Sequence, residues 1–77
     1  MAVKIKLIWD FRGIDAQKTA EHHEIHLREF AKREQLSEAI EGVEQVTEMH
    51  SLAYIIVLEE DMIKTRDALR PHRREKA

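Results

Sequence analysis

The sequence Leu-Ala-Tyr-Ile-Ile-Val-Leu, residues 52–58, is the longest uninterrupted apolar run in this chain of 77 residues. Apolar residues occupy both parities of the run, and most of them are β-branched or aromatic. This composition is typical of a strand that is covered on both faces. We therefore predict a central strand over residues 52–58. The run is far too short to span a bilayer.

Two further strands are predicted, one on either side of a helical stretch. Residues 3–11 read Val-Lys-Ile-Lys-Leu-Ile-Trp-Asp-Phe. One parity is consistently apolar, as a half-buried strand requires: Val3, Ile5, Leu7, Trp9 and Phe11. Residues 43–49 are β-prone and partly alternating, which indicates a short exposed strand that forms a hairpin with residues 52–58.

Two helices complete the predicted elements. Gly13 interrupts the first alternation, and Asp15 is a candidate N-cap whose carboxylate can accept from free backbone donors. The apolar residues that follow recur at helical spacing and form one stripe: Ala16, Ala20, Leu27, Phe30 and Ala31. This helix is expected to end near residue 35 or 36. A second helix begins at the acidic residues 59–61, where the helix dipole favours negative charge, and stops at Pro71.

The order strand, helix, strand, strand, helix predicts an α+β fold. We expect a three-stranded antiparallel sheet with both helices on one face, in a single domain over residues 1–71. Residues 72–77 are charged and are predicted to be a frayed tail. Since no fourth strand is expected after Pro71, the first strand is left as an exposed edge unless a second subunit covers it.

In this pattern the chain resembles the ferredoxin-like plait, and more narrowly the small dimeric α/β-barrel domains, in which two sheets face each other across a two-fold axis. The resemblance covers most of the chain: the strand end Trp9-Asp10-Phe11, the histidine-bearing helix, Gly42-Val43 at the start of the hairpin, and Tyr54 to Leu58 followed by an acidic helix start. The predicted βαββα order lacks the fourth strand of the usual plait, because nothing after Pro71 is expected to form it. The resemblance implies a homodimer and the activity of a cofactor-independent enzyme.

The two-sided central strand independently favours a dimer. If Leu52, Tyr54, Ile56 and Leu58 face the helices, the alternate residues Ala53, Ile55 and Val57 face away from them. A small protein seldom leaves such a patch in water, and a chain of this length buries only a thin core. We therefore expect the open face of the sheet to form a homodimer interface.

Composition limits the classes of partner. With 13 Lys and Arg against 15 Asp and Glu, the net charge of −2 provides no electrostatic footprint for a nucleic acid or an anionic membrane. The absence of cysteine excludes disulfides and thiolate metal sites. The first apolar stretch is unlike a signal peptide, because it is interrupted by Lys4, Lys6 and Asp10. We therefore expect a cytoplasmic protein.

The histidines of the first helix are the strongest chemical feature. A helical wheel places His23 between Ala20 and Leu27, in the centre of the buried stripe. His22 and His26 share a flank at i, i+4 spacing and are candidate ligands of a divalent metal, the only cofactor that the sequence offers. Further ligands would have to come from Asp10, Asp15, His50 or a second subunit.

A small-ligand site is predicted where the first strand ends, because the third strand begins at the same edge of the sheet. His50 shares the parity of Leu52 and Tyr54, which is expected to direct it toward His23. The candidate ligand-binding residues are Trp9, Phe11, His23, His50 and Tyr54. The candidate catalytic residues are His23, His50 and Asp10, since histidine transfers protons near neutral pH.

Structural interpretations of these residues remain open. A histidine on a buried helix face is often a hydrogen-bonded core residue, Trp9 and Phe11 continue an inward parity, and His22 and His26 are equally compatible with a solvated flank. The sequence thus leaves three functions: a homodimeric binding or structural module with a small ligand, a cofactor-independent enzyme using a histidine for proton transfer, and a divalent-metal site.

Overall fold

The computed structural model of the chain describes residues 3–77. Its elements in chain order are β1 (Lys4–Arg12), α1 (Ala16–Arg33), β2 (Ile40–Thr47), β3 (His50–Leu58), α2 (Glu59–Leu69) and β4 (Arg73–Lys76). Within these residues the architecture is α+β, with two helices and a four-stranded antiparallel sheet in the order β2-β3-β1-β4. The predicted class is confirmed. Met1 and Ala2, which the predicted domain includes, lie outside the described residues.

The expected three-stranded sheet is wrong, because the residues predicted to be a frayed tail form β4. Arg73–Lys76 is exposed throughout and consists only of charged residues, so no hydrophobic pattern marks it as a strand. It pairs antiparallel with β1. The His72 N–H donates to the Ile8 carbonyl at 2.9 Å, and the Ala77 N–H to the Lys4 carbonyl at 3.0 Å. β1 is consequently an internal strand rather than the expected exposed edge.

The core lies between both helices and one face of the sheet. Its buried members come from β1, α1, β3 and α2: Leu7, Trp9, Ala20, Leu27, Ala31, Ala53, Ile55, Val57 and Met62. The five residues predicted to form the apolar stripe of α1 are all buried. That part of the prediction is confirmed, because a period of 3.6 residues specifies a single helix face.

The orientation predicted for β3 is wrong. Ala53, Ile55 and Val57 are each 0 % exposed and belong to the core, so Leu52 and Tyr54 lie on the opposite, open face of the sheet. Because both parities of this strand are apolar, hydrophobicity alone does not select the inner one. The register with β1 selects it: Trp9 pairs with Ala53 and Leu7 with Ile55, and paired residues share a face.

Two connections position the ends of the elements near the site. Gly13 has φ 114°, a left-handed conformation that favours glycine, and its N–H donates to the Met49 carbonyl at 2.8 Å. The turn before α1 is thereby fastened to the β2–β3 hairpin. Asp15 occupies the N-cap position of α1, but among residues 3–77 its carboxylate makes no capping hydrogen bond, so the predicted carboxylate cap is wrong. Over the described part of the chain, neither helix has the length and apolar character needed to cross a membrane.

Candidate functional site

His23 lies on the inner side of α1, over the end of β1. Its ring centroid is 4.8 Å from that of Trp9 and 5.6 Å from that of Phe11. The Nε2 atom of His23 is buried, and no group within residues 3–77 forms a hydrogen bond with it. His23 therefore lies on the inner face of the helix, as the helical wheel predicts. Its neighbours there are aromatic rings, and one of its ring nitrogens is unpaired.

The surroundings of His23 keep its imidazole neutral. Burial lowers the pKa of His23 below its ordinary value of 6.5, and positive charge on His26 and His72 lowers it further. A neutral imidazole has one donor and one acceptor nitrogen, and leaving a buried polar atom unpaired costs about 1–3 kcal/mol. A ligand group or an ordered water at Nε2 would remove that cost.

Trp9 and Phe11 form the aromatic floor beneath His23. The Trp9 Nε1–H donates to the Leu69 carbonyl at 3.0 Å, which ties the end of α2 to β1, and the side chain is buried. Trp9 therefore contributes a ring surface and no free donor. Phe11 lies between two histidines, with the His72 ring centroid 6.3 Å away.

A cleft of about 410 Å³ opens beside His23, between the end of β1 and the first half of α1. Its lining residues are Phe11, Lys18, Thr19, His22, His23 and His26. The volume falls within the usual range for sites that bind small molecules. An aromatic wall and several nitrogen donors in one cleft are suited to a small organic ligand.

His22 and His26 are neighbours on the rim of this cleft, with ring centroids 5.4 Å apart. The Nδ1 atom of His26 lies 3.6 Å from Oε1 of Glu29. Over residues 3–77, no three His, Cys, Asp or Glu side chains are grouped so as to hold a metal ion. Asp10 and His50, two of the expected additional ligands, lie across the sheet. A metal here would depend on ligands from another molecule, because zinc takes at least three protein ligands.

His50 does not meet His23, and the predicted pairing of these two histidines is wrong. β3 presents the opposite parity to the helices, so His50, which pairs in register with Arg12, lies on the open face. There its Nε2 atom is 2.9 Å from Oδ1 of Asp10. The ligand site expected from Trp9, Phe11, His23, His50 and Tyr54 is thus divided by the sheet.

Asp10 is the centre of a charged network on that open face. Arg73 donates from Nε to Oδ2 of Asp10 at 2.9 Å and from Nη2 to Oδ1 at 3.2 Å. The hydrogen bond from Arg73, and after it the one from His50, lowers the pKa of Asp10 to about 2. The carboxylate is therefore ionised, and it fixes the orientation of the His50 ring.

Tyr54 also lies on the open face. Its ring covers Gly42 of β2 so closely that a Cβ atom at that position would collide with the tyrosine hydroxyl. The Lys6 ammonium lies 4.4 Å from the ring centroid. Tyr54 is held flat against the sheet and contributes nothing to the cleft beside His23.

Sequence reasoning missed four residues of these two sites. Lys18 and Thr19 line the cleft, and their i, i+4 spacing from His22 and His23 is a signal that identifies them once the helix is assigned. His72 and Arg73 carry no such signal, because their positions depend on the pairing of β4.

No family model, curated protein or solved structure matches this chain, so the chemistry of the site itself is the basis for assigning a function.

Proposed function

We propose that this protein is a homodimeric binding module of ferredoxin-like architecture that takes a small ligand in the cleft beside His23. The unpaired, buried Nε2 atom of His23 is the observation that carries this proposal. Native proteins pair nearly all of their buried polar atoms, so a ligand group or an ordered water is expected to complete this one. His23 forms part of the wall of the cleft, so this buried atom belongs to a residue that a bound molecule would contact.

The chemistry of the cleft supports a ligand rather than a purely structural histidine. The buried ring nitrogens of a structural histidine usually form hydrogen bonds. Within residues 3–77, Nε2 of His23 forms none. Its neutral ring lies against Phe11, which offers an apolar surface, and beside Lys18, which offers a charged donor. Ligand sites typically combine an apolar wall with a few polar groups of this kind.

Binding is tested by NMR titration of the full chain with a library of small fragments. We expect fragments to shift the amide signals of Phe11, Lys18 and His23. His23→Leu should weaken their binding by roughly tenfold or more, with thermal stability unchanged or higher because an unpaired polar atom is removed. His50→Gln, on the other face of the sheet, is the matched control and should leave binding intact. A large loss of stability in His23→Leu with no effect on binding would assign His23 to the core instead.

The ferredoxin-like part of the proposal is supported by the order of the elements. Strand, helix, strand, strand, helix, strand is the order of that motif. The addition of β4 strengthens the likeness, since the three strands expected from the sequence leave the motif one strand short.

The dimer is supported by the open face of the sheet. Tyr54, Ile56 and Leu58 are half-buried there, and Ile40 is 52 % exposed. With strands of nine, eight, nine and four residues, about 4.8 Å apart and rising about 3.3 Å per residue, the sheet presents a face of about 480 Å². That is somewhat more than half of the surface of about 800 Å² that each partner buries in a standard stable interface. A second copy of the chain supplies a face of the same size and character.

Sedimentation velocity at micromolar concentration tests the dimer. The wild-type protein should sediment as a dimer, and Ile56→Lys should convert it to a monomer by placing a charge in the interface. Ile63→Lys is the matched control, because Ile63 lies on α2 and is 57 % exposed. A monomeric wild-type protein, or a dimer that survives Ile56→Lys and fails with Ile63→Lys, would reject this interface.

A cofactor-independent enzyme is the second candidate, favoured by the contact between Asp10 and His50. An ionised carboxylate that fixes one ring nitrogen of a histidine leaves the other in a defined orientation, as in many general bases. If a compound of the library is converted on the open face beside Asp10 and His50, mass spectrometry should show products that His50→Gln no longer forms and that His23→Leu still forms. Binding without conversion of any fragment would remove this candidate and leave the binding module.

A further inference from the structure

The cleft beside His23 is rich in hydrogen-bond donors. Lys18 contributes an ammonium group, and His22 and His26 contribute ring nitrogens. The Thr19 hydroxyl donates to the backbone carbonyl of Asp15 at 3.0 Å and is therefore not free to donate to a ligand. A ligand that matches this cleft has to offer acceptors.

Lys18 supplies the positive charge of the cleft lining. Among the described residues that line it, none is acidic, and the first turn of α1 likewise contains no acidic residue. The carboxylate of Asp15, at the N-cap of α1, is not part of this lining. Glu29 lies beside His26 on the side of Nδ1 and is not part of the lining.

The ring of Phe11 provides the apolar part of the cleft. The Phe11 ring lies against the His23 ring at an interplanar angle of 64°. Phe11 is only partly buried and lines the cleft, so part of its ring is available to a planar molecule. Aromatic rings pack favourably on such surfaces.

We propose that the ligand of this cleft is a small organic anion, with a carboxylate directed to Lys18 and His22 and a flat apolar body against Phe11. This inference rests on the proposed function, since it names the class of ligand for the same cleft. A charged carboxylate forms stronger hydrogen bonds with an ammonium group than a neutral amide does. The apolar body separates such a ligand from an inorganic anion.

Three probes test the inference by isothermal titration calorimetry with the full chain: benzoate, its neutral analogue benzamide, and inorganic phosphate. We expect benzoate to bind roughly tenfold more tightly than benzamide, and phosphate to bind more weakly than benzoate by at least about the same factor. Lys18→Gln should weaken benzoate by roughly fivefold or more and leave benzamide unchanged. Lys32→Gln is the matched control on the same helix, about 21 Å farther along it, and should change neither.

The outcomes separate the ligand class from the function. Equal affinity for benzoate and benzamide overturns the anion and leaves the binding module standing. If phosphate binds as tightly as benzoate, the ligand does not need an apolar body, and that part of the inference is overturned. If other fragments bind at Phe11 and His23 while benzoate does not, the inference fails alone. If no fragment binds there at all, the inference and the proposed function fall together.

Discussion

The Nε2 atom of His50 lies 2.9 Å from the Oδ1 atom of Asp10, across the adjacent strands β3 and β1. The same carboxylate accepts two hydrogen bonds from Arg73 of β4. One side chain therefore connects three strands on the open face of the sheet. β4 contains only exposed, charged residues. It is therefore held to β1 by this network and by backbone hydrogen bonds, whereas the other strands are also held by apolar packing.

Asp10→Asn is expected to lower the free energy of unfolding by about 1–2 kcal/mol at neutral pH, a value that allows for solvent screening of a partly exposed group. The pKa of Asp10 is lowered from 3.8 to about 2, first by the hydrogen bond from Arg73 and then by that from His50. A carboxyl group whose pKa is lower in the folded state stabilises the fold above its unfolded pKa and loses that effect as pH falls through the folded value. The difference between the two proteins should therefore be constant above about pH 5 and disappear between about pH 4 and pH 2. Urea unfolding over this range measures it, and a difference that does not depend on pH would contradict the assignment.

Arg73→Gln is expected to loosen β4 without unfolding the rest of the sheet. The substitution removes both charged hydrogen bonds to Asp10 and the contact of Nη1 with Oε1 of Glu75 at 2.8 Å. Hydrogen exchange should accelerate at the His72 and Ala77 amides, which donate to β1, while the amides between β1 and β3 stay protected. Arg74→Gln, on the same strand but facing α2, is the control and should change the exchange at these amides less. Uniform acceleration across the sheet would show that β4 does not open separately.

The extent to which this fold follows from its sequence depends on how strongly each pattern selects one arrangement. The sequence predicts α1 together with its buried stripe, because apolar residues at helical spacing leave a single possible inner face. The sequence predicts β3 as a strand but with the wrong face inward, because both parities of residues 52–58 are apolar. Only the register with β1 resolves this, and register is a property of pairing between distant segments.

The candidate site illustrates the same limit. His23 is placed on the inner face by its own helix, so local periodicity is enough. The position of His50 depends on the orientation of β3. Because that orientation is predicted incorrectly, His50 is expected on the inner face but lies on the open face. His72 and Arg73 reach Phe11 and Asp10 only because β4 pairs with β1, and a strand made of charged residues has no signature of its own.

Gly42→Ala is expected to destabilise the protein by about 1–3 kcal/mol through overpacking. In an ordinary strand this substitution is mildly stabilising, because alanine loses less backbone entropy than glycine on folding. Here the new methyl group would collide with the Tyr54 hydroxyl, and the ring would have to leave its position over β2. A double-mutant cycle with Tyr54→Ala, followed by chemical unfolding, measures the coupling. If Gly42→Ala is equally destabilising in the Tyr54→Ala background, the collision is not its cause.

The titration of His23 is expected to make stability fall as the pH drops below about 6.5, the ordinary pKa of histidine. Burial lowers the pKa of His23 in the folded state, with His26 on the same helix and His72 before β4 contributing repulsion. The unfolded chain, with an ordinary pKa of 6.5, therefore takes up the proton more readily. The stabilising effect is complete above that value and is lost as pH falls through the lowered folded pKa.

This titration is checked by measuring the free energy of unfolding against pH for the wild-type protein and for His23→Leu. The variant should show a shallower decline, because it has no proton to take up at this position. His22→Asn removes a histidine from the rim of the cleft and should retain the wild-type slope, while His26→Asn should reduce the slope by removing a neighbouring positive charge. Proton NMR of the His23 ring supplies the direct readout, since its resonance should titrate at lower pH than the ordinary histidine value. Equal slopes in the wild-type protein and His23→Leu would mean that the ring is solvated and free to take up a proton, and the unpaired Nε2 atom would then lose its significance for binding.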